Sequence, residues 1–150
     1  MGSLAFDRLA KILTHPVLVP FEFLFVRIFM ALMFIESFIE KLLHWNHSLI
    51  DIAINNVPFP AISLTAATAI EIFGSICLLS GRCLRYGAIF LAAYVFILQF
   101  FYFDFWNHTG LGAVIERREF LKNMAVIAGL FLLALVDSAK QVRLSASTLP

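Results

Sequence analysis

The chain has 150 residues, 61% of them hydrophobic and 15% aromatic, with a net charge of +1 and a mean hydropathy of +0.91. Soluble domains sit near about 45–50% apolar, so this is an integral membrane protein, of a length for one domain. The charge balance leaves no basic surface for nucleic acid, and Cys77 and Cys83, with five residues between them, match no CxxC pair, disulfide scaffold or metal-ligand spacing.

In chain order, residues 4–13 place Ala5, Leu9, Ile12 and Leu13 at helical spacing, with Asp7, Arg8 and Lys11 elsewhere on the wheel. This pattern predicts a short interfacial helix rather than a signal peptide. A helical span needs about 20 mostly apolar residues, and four segments qualify, at about 21–43, 60–80, 84–105 and 119–136. Pro58 and Pro60 open the second and Gly81 closes it, matching the preference for proline at helix starts and glycine at helix ends. The segment from His47 to Asn55 predicts a second short interfacial helix. Apolar runs that are continuous rather than alternating exclude a barrel. The expected fold is therefore all-α, a bundle of four transmembrane helices with a short N-terminal interfacial helix, in one membrane domain.

An even number of spans puts both termini and the second-to-third loop on one side. That side carries Arg8, Lys11, Arg82, Arg85, Lys140 and Arg143. The other side has Arg117 and Arg118, offset by Glu116 and Glu119. The positive-inside rule then predicts a multi-pass protein of the cytoplasmic (inner) membrane with both termini cytoplasmic.

The first span contradicts its own hydropathy, because it carries Arg27, Glu36, Glu40 and Lys41. A charge near the bilayer centre costs about 2.5–3.5 kcal/mol on insertion scales, and such residues face a protein interior, a cavity or a partner charge. At roughly 100° per residue, Glu36, Glu40, His44 and His47 form one stripe rising toward the outer surface, while Arg27 and Lys41 share a different face. Three readings of the stripe stand: structural carboxylates with solvated histidines, a proton path, or a divalent-metal site of Glu36, Glu40, His44 and His47. Asp104 and His108 at the end of the third span would complete the metal site. Glu71 lies in the middle of the second span. It reads either as a structural partner of Arg27 or as a proton-carrying acid. Lys122, opening the fourth span beside Asn123, is the expected partner of Glu36 or Glu40. Cys77 and Cys83 read as free thiols in a reducing compartment, with a redox role as the alternative. The aromatic run Phe96, Phe100, Phe101, Tyr102, Phe103, Phe105 and Trp106 reads as an interfacial belt. Alternatively, Phe100, Phe101 and Trp106 line a pocket for a flat apolar ring.

The order of these features resembles the DoxX family of small four-helix membrane proteins. The resemblance rests on Arg27, the Glu40-Lys41 pair, Pro58 and Pro60, and on Glu71, Gly74, Gly81 and Arg85 within EIFGSICLLSGRCLR. It continues with Trp106, His108 and Lys122-Asn123 leading into MAVIAGL. It implies a polar network of Arg27, Lys41, Glu71, Arg85, Lys122 and Asn123, and a link to quinone-dependent oxidation. Glu36, His44 and His47 depart from the pattern. The expected function is a membrane subunit of a quinone-linked oxidoreductase, with Glu71, Glu40 and Lys122 handling protons and quinone as cofactor. The alternatives are a non-catalytic accessory or scaffold subunit of a larger complex, or an outward-facing metal-binding protein. Expected partners are the lipid bilayer and other membrane subunits or further copies of the chain.

Overall fold

The computed structural model describes residues 18–147, with side chains for 23–139 and 141. The predicted interfacial helix over residues 4–13 lies outside the described residues. Those residues form five helices and no strand: α1 Leu18–Leu43, α2 Trp45–Ile54, α3 Pro60–Ser80, α4 Leu84–Tyr102 and α5 Leu111–Ser147. The second and third spans begin where the sequence places them. α4 stops at Tyr102, and α5 begins eight residues earlier than predicted and runs past Val136. That extension contains Glu116, Arg117 and Arg118, a charged stretch that hydropathy reads as a loop but that is compatible with a helix projecting into water.

Among the described residues, three helices are long and apolar enough to cross a membrane: Pro60–Ser80, Leu84–Tyr102 and, within α5, Leu111–Ala139. α1, at 26 residues, has the length, about 39 Å at 1.5 Å per residue, but also five charged residues, Glu22, Arg27, Glu36, Glu40 and Lys41. The helices pack in sequence around one core. α1 lies on α3, α3 on α4 and α4 on α5, while α5 touches α1 only lightly. The core takes Ala31 and Phe34 from α1, Leu78 from α3, Leu84, Ala88, Leu91 and Ala92 from α4, and Ile127, Leu130, Leu133 and Ala134 from α5. Outside it, Phe25, Phe29, Ile76, Phe90, Ile97, Leu132 and Leu135 are exposed, an apolar wall suited to lipid rather than water.

α2 covers one end of the molecule. Its Ile52 packs with Val57 and Leu64 against Trp45, Leu49 and Tyr102. The Tyr102 hydroxyl donates to Asp51 Oδ2 at 3.0 Å, tying α2 to the end of α4.

Small residues decide how closely α3 and α4 approach. A Cβ on Gly74 would fall inside the Leu91 side chain, and one on Gly87 would strike Cys77 Cβ. Because the clash at Gly74 begins at Leu91 Cγ, the whole side chain would have to move rather than its tip. Gly74→Ala is expected to destabilise the protein by about 1–3 kcal/mol, the usual range for overpacking. The check is the thermal midpoint in a fixed mild detergent, where an unchanged midpoint refutes the close α3–α4 contact.

Candidate functional site

The buried face of α3 runs through Leu64, Thr68, Glu71, Ser75 and Leu78, spaced four and three residues apart. Glu71 therefore points into the bundle, where it is only 2% exposed. Lys41 reaches it from α1, with Nζ 2.9 Å from Oε1 and 3.0 Å from Oε2. Ser37, one turn before Lys41, donates its hydroxyl to Oε1 at 3.0 Å and accepts from Lys41 Nζ at 2.6 Å. From α4 the Tyr94 hydroxyl donates to the same Oε1 at 2.9 Å. One carboxylate on α3 thus gathers three donor residues from two neighbouring helices and joins α1, α3 and α4. A buried charge is tolerable only when paired and hydrogen-bonded, and both conditions hold for Glu71. Lys41 is 19% exposed, so the network is sealed at the carboxylate and reaches the edge of the bundle along the lysine side chain.

The partner of Glu71 is Lys41, not Arg27. Arg27 acts on the end of the same helix: Nε donates to Leu78 O and Nη2 to Leu79 O, both at 2.7 Å. The last carbonyls of a helix have no intrahelical donor and carry its negative end, so a guanidinium there satisfies hydrogen bonds and charge together. Gly81 follows with φ +72, the left-handed cap that glycine adopts without penalty. A Cβ at Gly81 would also lie 2.6 Å from Arg27 Nη2. Phe23 places its ring 5.8 Å from the guanidinium carbon on the remaining side.

The other predicted residues are dispersed. Lys122 pairs with Glu119 one turn earlier on its own helix, not with Glu36 or Glu40. Glu36 and Glu40 are exposed and make no ion pair among the described residues. They lie on the side of α1 away from Ala31 and Phe34, and with Leu32, Ile39 and His44 they line a shallow outer groove. The stripe breaks at His44, whose φ of −120 and ψ of 45 separate α1 from α2, so His47 belongs to a different helix. Arg85 is exposed at the start of α4, and Asn123 is half-buried on α5.

The aromatic run forms a chain of edge-to-face pairs, Phe96–Phe100 at 5.2 Å, Phe100–Phe120 at 6.3 Å, Phe120–Phe105 at 5.4 Å and Phe105–Trp106 at 5.1 Å. Phe100, Phe101 and Trp106 are exposed and face outward. Gln99, inside this run, is 1% exposed, and neither its amide nitrogen nor its amide oxygen has a partner. Sequence reasoning missed Ser37, Tyr94 and Gln99. A polar side chain within an otherwise apolar span was the available signal for each.

His108 meets Asp104 and Glu116 beyond the end of α4, at 3.2 and 3.0 Å. These three are the one group among the described residues whose potential ligand atoms all lie within 4.8 Å. The cluster shares His108 with the predicted metal set, and Glu36, Glu40, His44 and His47 are not part of it. The hydrogen bond that His108 donates to Glu116, then the charges of Asp104 and Glu116, push the exposed His108 above its ordinary pKa.

A chain with apolar helices of spanning length and a charge network sealed in its core belongs to the class of polytopic membrane proteins. The DoxX family model matches residues 23–104, more than half of the sequence, and the chain belongs to the DoxX family. No curated protein and no solved structure matches it.

Two outcomes follow from this geometry. Lys41→Met leaves a buried carboxylate without its cation, and is expected to cost about 3–5 kcal/mol, as for one partner removed from a buried pair. The Lys41→Met/Glu71→Gln double variant should melt higher than Lys41→Met alone, and strictly additive thermal midpoints would refute the pair. The His108 ring should titrate above a free histidine in NMR and return toward it in Glu116→Gln. Any stability that this contact adds is present at low pH and lost as pH rises through the raised His108 value. A His108 ring titrating at or below the free value contradicts the contact.

Proposed function

We propose that α1, α3, α4 and α5 all span the cytoplasmic membrane, with both termini cytoplasmic, and that the chain is the membrane subunit of a quinone-linked oxidoreductase. Four-span insertion is supported by the direction of the α1 charges, since Arg27 and Lys41 turn inward onto partners. The observation that carries the redox reading is the Glu71 network, a sealed carboxylate hydrogen-bonded to Tyr94, Ser37 and a partly exposed Lys41. Such a relay can hold a proton at depth and present another near the surface. Ser37 lies two turns from Met30 on α1, and Met30 is the residue that packs on Gly129 of α5. Ser37 thus lies on the same face of α1 as the light Met30–Gly129 contact and about two turns along from it, and that face, at the α1–α5 seam, is the proposed lateral route from the lipid.

The residues fit a ring bearing carbonyl oxygens. Gln99 offers a buried donor and acceptor without partners, next to Phe96 and Phe100 in its helix. A bound quinone supplies an acceptor for two electrons and two protons. Lys41 would present an N–H at the seam, Glu71 would hold a proton behind it, and Tyr94 would keep the carboxylate oriented. Glu40 and Lys122, on the outer half, would exchange protons with water. The metal reading has its support in the Asp104, His108 and Glu116 group alone. The accessory-subunit reading is favoured by one observation: Glu36 and Glu40 point away from the bundle without ion-pair partners among the described residues, where a partner protein would supply cations.

The test is solvent extraction of quinone from protein purified in mild detergent, followed by titration with a short-chain quinone analogue. Saturable binding that weakens about 2- to 10-fold in Gln99→Leu, the worth of one hydrogen bond, is the expected result. No extractable quinone together with no saturable binding removes the redox reading. Stoichiometric partners in the same preparation would then support the accessory role.

A further inference from the structure

We infer that Cys77 and Cys83 form a dithiol/disulfide couple, a two-electron site that exchanges with small acidic thiols and disulfides. Their Sγ atoms lie 2.8 Å apart as free thiols, within about an ångström of the covalent S–S separation of about 2.05 Å. The fold holds them there from three directions. Gly81, in the left-handed conformation, ends α3 and turns the chain back, so that Cys83 caps the start of α4 over the last turn of α3. Arg27 clamps the carbonyls of Leu78 and Leu79 in that last turn. Gly87 has no side chain where one would strike Cys77 Cβ, which lets the first turn of α4 lie directly on Cys77.

The two thiols differ in access. Cys77 is 1% exposed within the bundle, whereas Cys83 is half-buried at its margin. Exchange therefore enters at Cys83. Arg82 and Arg85, both exposed, stand before and after it and favour an anionic reagent of the glutathione type. The Cys83 thiolate attacks one sulfur of a small disulfide RSSR, forming a mixed disulfide and releasing one thiolate. The Cys77 sulfur then displaces the second thiolate from Cys83 and closes the Cys77–Cys83 bond. The two thiol protons go to the two departing thiolates. In sum, two protein thiols and RSSR give one protein disulfide and two RSH, with two electrons passing to the small disulfide. Excess thiol drives the reverse. Nothing in this reaction requires the quinone reading, and it gives the protein a thiol-linked redox site on the face that holds the α3–α4 turn.

The full chain in mild detergent is equilibrated across a series of reduced and oxidised glutathione. It is then quenched in acid, unfolded in dodecyl sulfate and labelled with a maleimide-polyethylene glycol. Two adducts under reducing conditions and none under oxidising ones, with no bound glutathione in the mass spectrum, is the expected result. The closing equilibrium should favour the disulfide at least about tenfold more in the folded chain than in the same chain unfolded in dodecyl sulfate, because the fold supplies the proximity. Cys83→Ser should leave one labelled thiol under both conditions. Three results each overturn the inference: two free thiols throughout the series, oxidation that stops at a glutathione mixed disulfide, or equal closing constants in folded and unfolded protein.

Discussion

The contact between Lys41 and Glu71 is the constraint on which the helix arrangement depends. A carboxylate that is 2% exposed inside an apolar bundle has few tolerable states. It needs a cation within hydrogen-bond distance and donors for the rest of its oxygen capacity. Lys41, Ser37 and Tyr94 provide these, and they come from α1 on one side and α4 on the other. Register follows directly. If α1 slid by one turn against α3, Lys41 would miss Glu71, and if α4 slid, Tyr94 would. Hydrophobic packing between lipid-facing helices has little power to set such a register, because lipid tails are as apolar as leucine.

Arg27 extends the same logic to the other end of α3. Its forked donors require the carbonyls of Leu78 and Leu79 within reach, and a guanidinium suits this better than an ammonium because two nitrogens can serve two acceptors at once. α1 is thereby pinned to α3 at two heights, by an ion pair near Glu71 and by a cap near Gly81. Gly74 and Gly87 then allow α4 to lie close to the pinned helix. The order of dependence runs from charge satisfaction, to the α1–α3 register, to the tight α3–α4 contact.

Among the described residues, the all-helical character and the proline and glycine limits of α3 were legible in the sequence, since they rest on local chemistry and on runs of apolar residues. The division of the α1 charges was legible in part. The wheel separated Arg27 and Lys41 from Glu36 and Glu40, and the inward pair does face the bundle. Partners were not legible. Both Arg27 and Lys41 project from the inner face, and only the axial position of α3 decides which one meets Glu71. Lys122 was misjudged because a wheel ranks long-range partners and overlooks Glu119, one turn away on the same helix. The start of α5 was misjudged because hydropathy marks where lipid ends, whereas a helix continues into water as long as its backbone is satisfied. Cys77 and Cys83 looked unrelated because their spacing fits no linear motif. The left-handed turn at Gly81 joins them, and that is a backbone conformation rather than a pattern of residue types.

α1 is the element that leaves electrostatic work unfinished. Its inner face is settled by Glu71 and by the end of α3, yet Glu36 and Glu40 look outward from the same helix, without cations among the described residues. Its edge toward α5 is also only lightly joined. A helix that is pinned firmly on one side, with carboxylates on the other and a thin seam beside it, is suited to meet something the chain itself does not supply. An apolar guest at the seam would stand near Lys41, and a protein neighbour on the outer groove would stand near Glu36 and Glu40. These two occupants use different faces of α1, so binding of one leaves room for the other. The charges of α1 thus divide it into a structural face, held by Glu71 and the end of α3, and a receptive one.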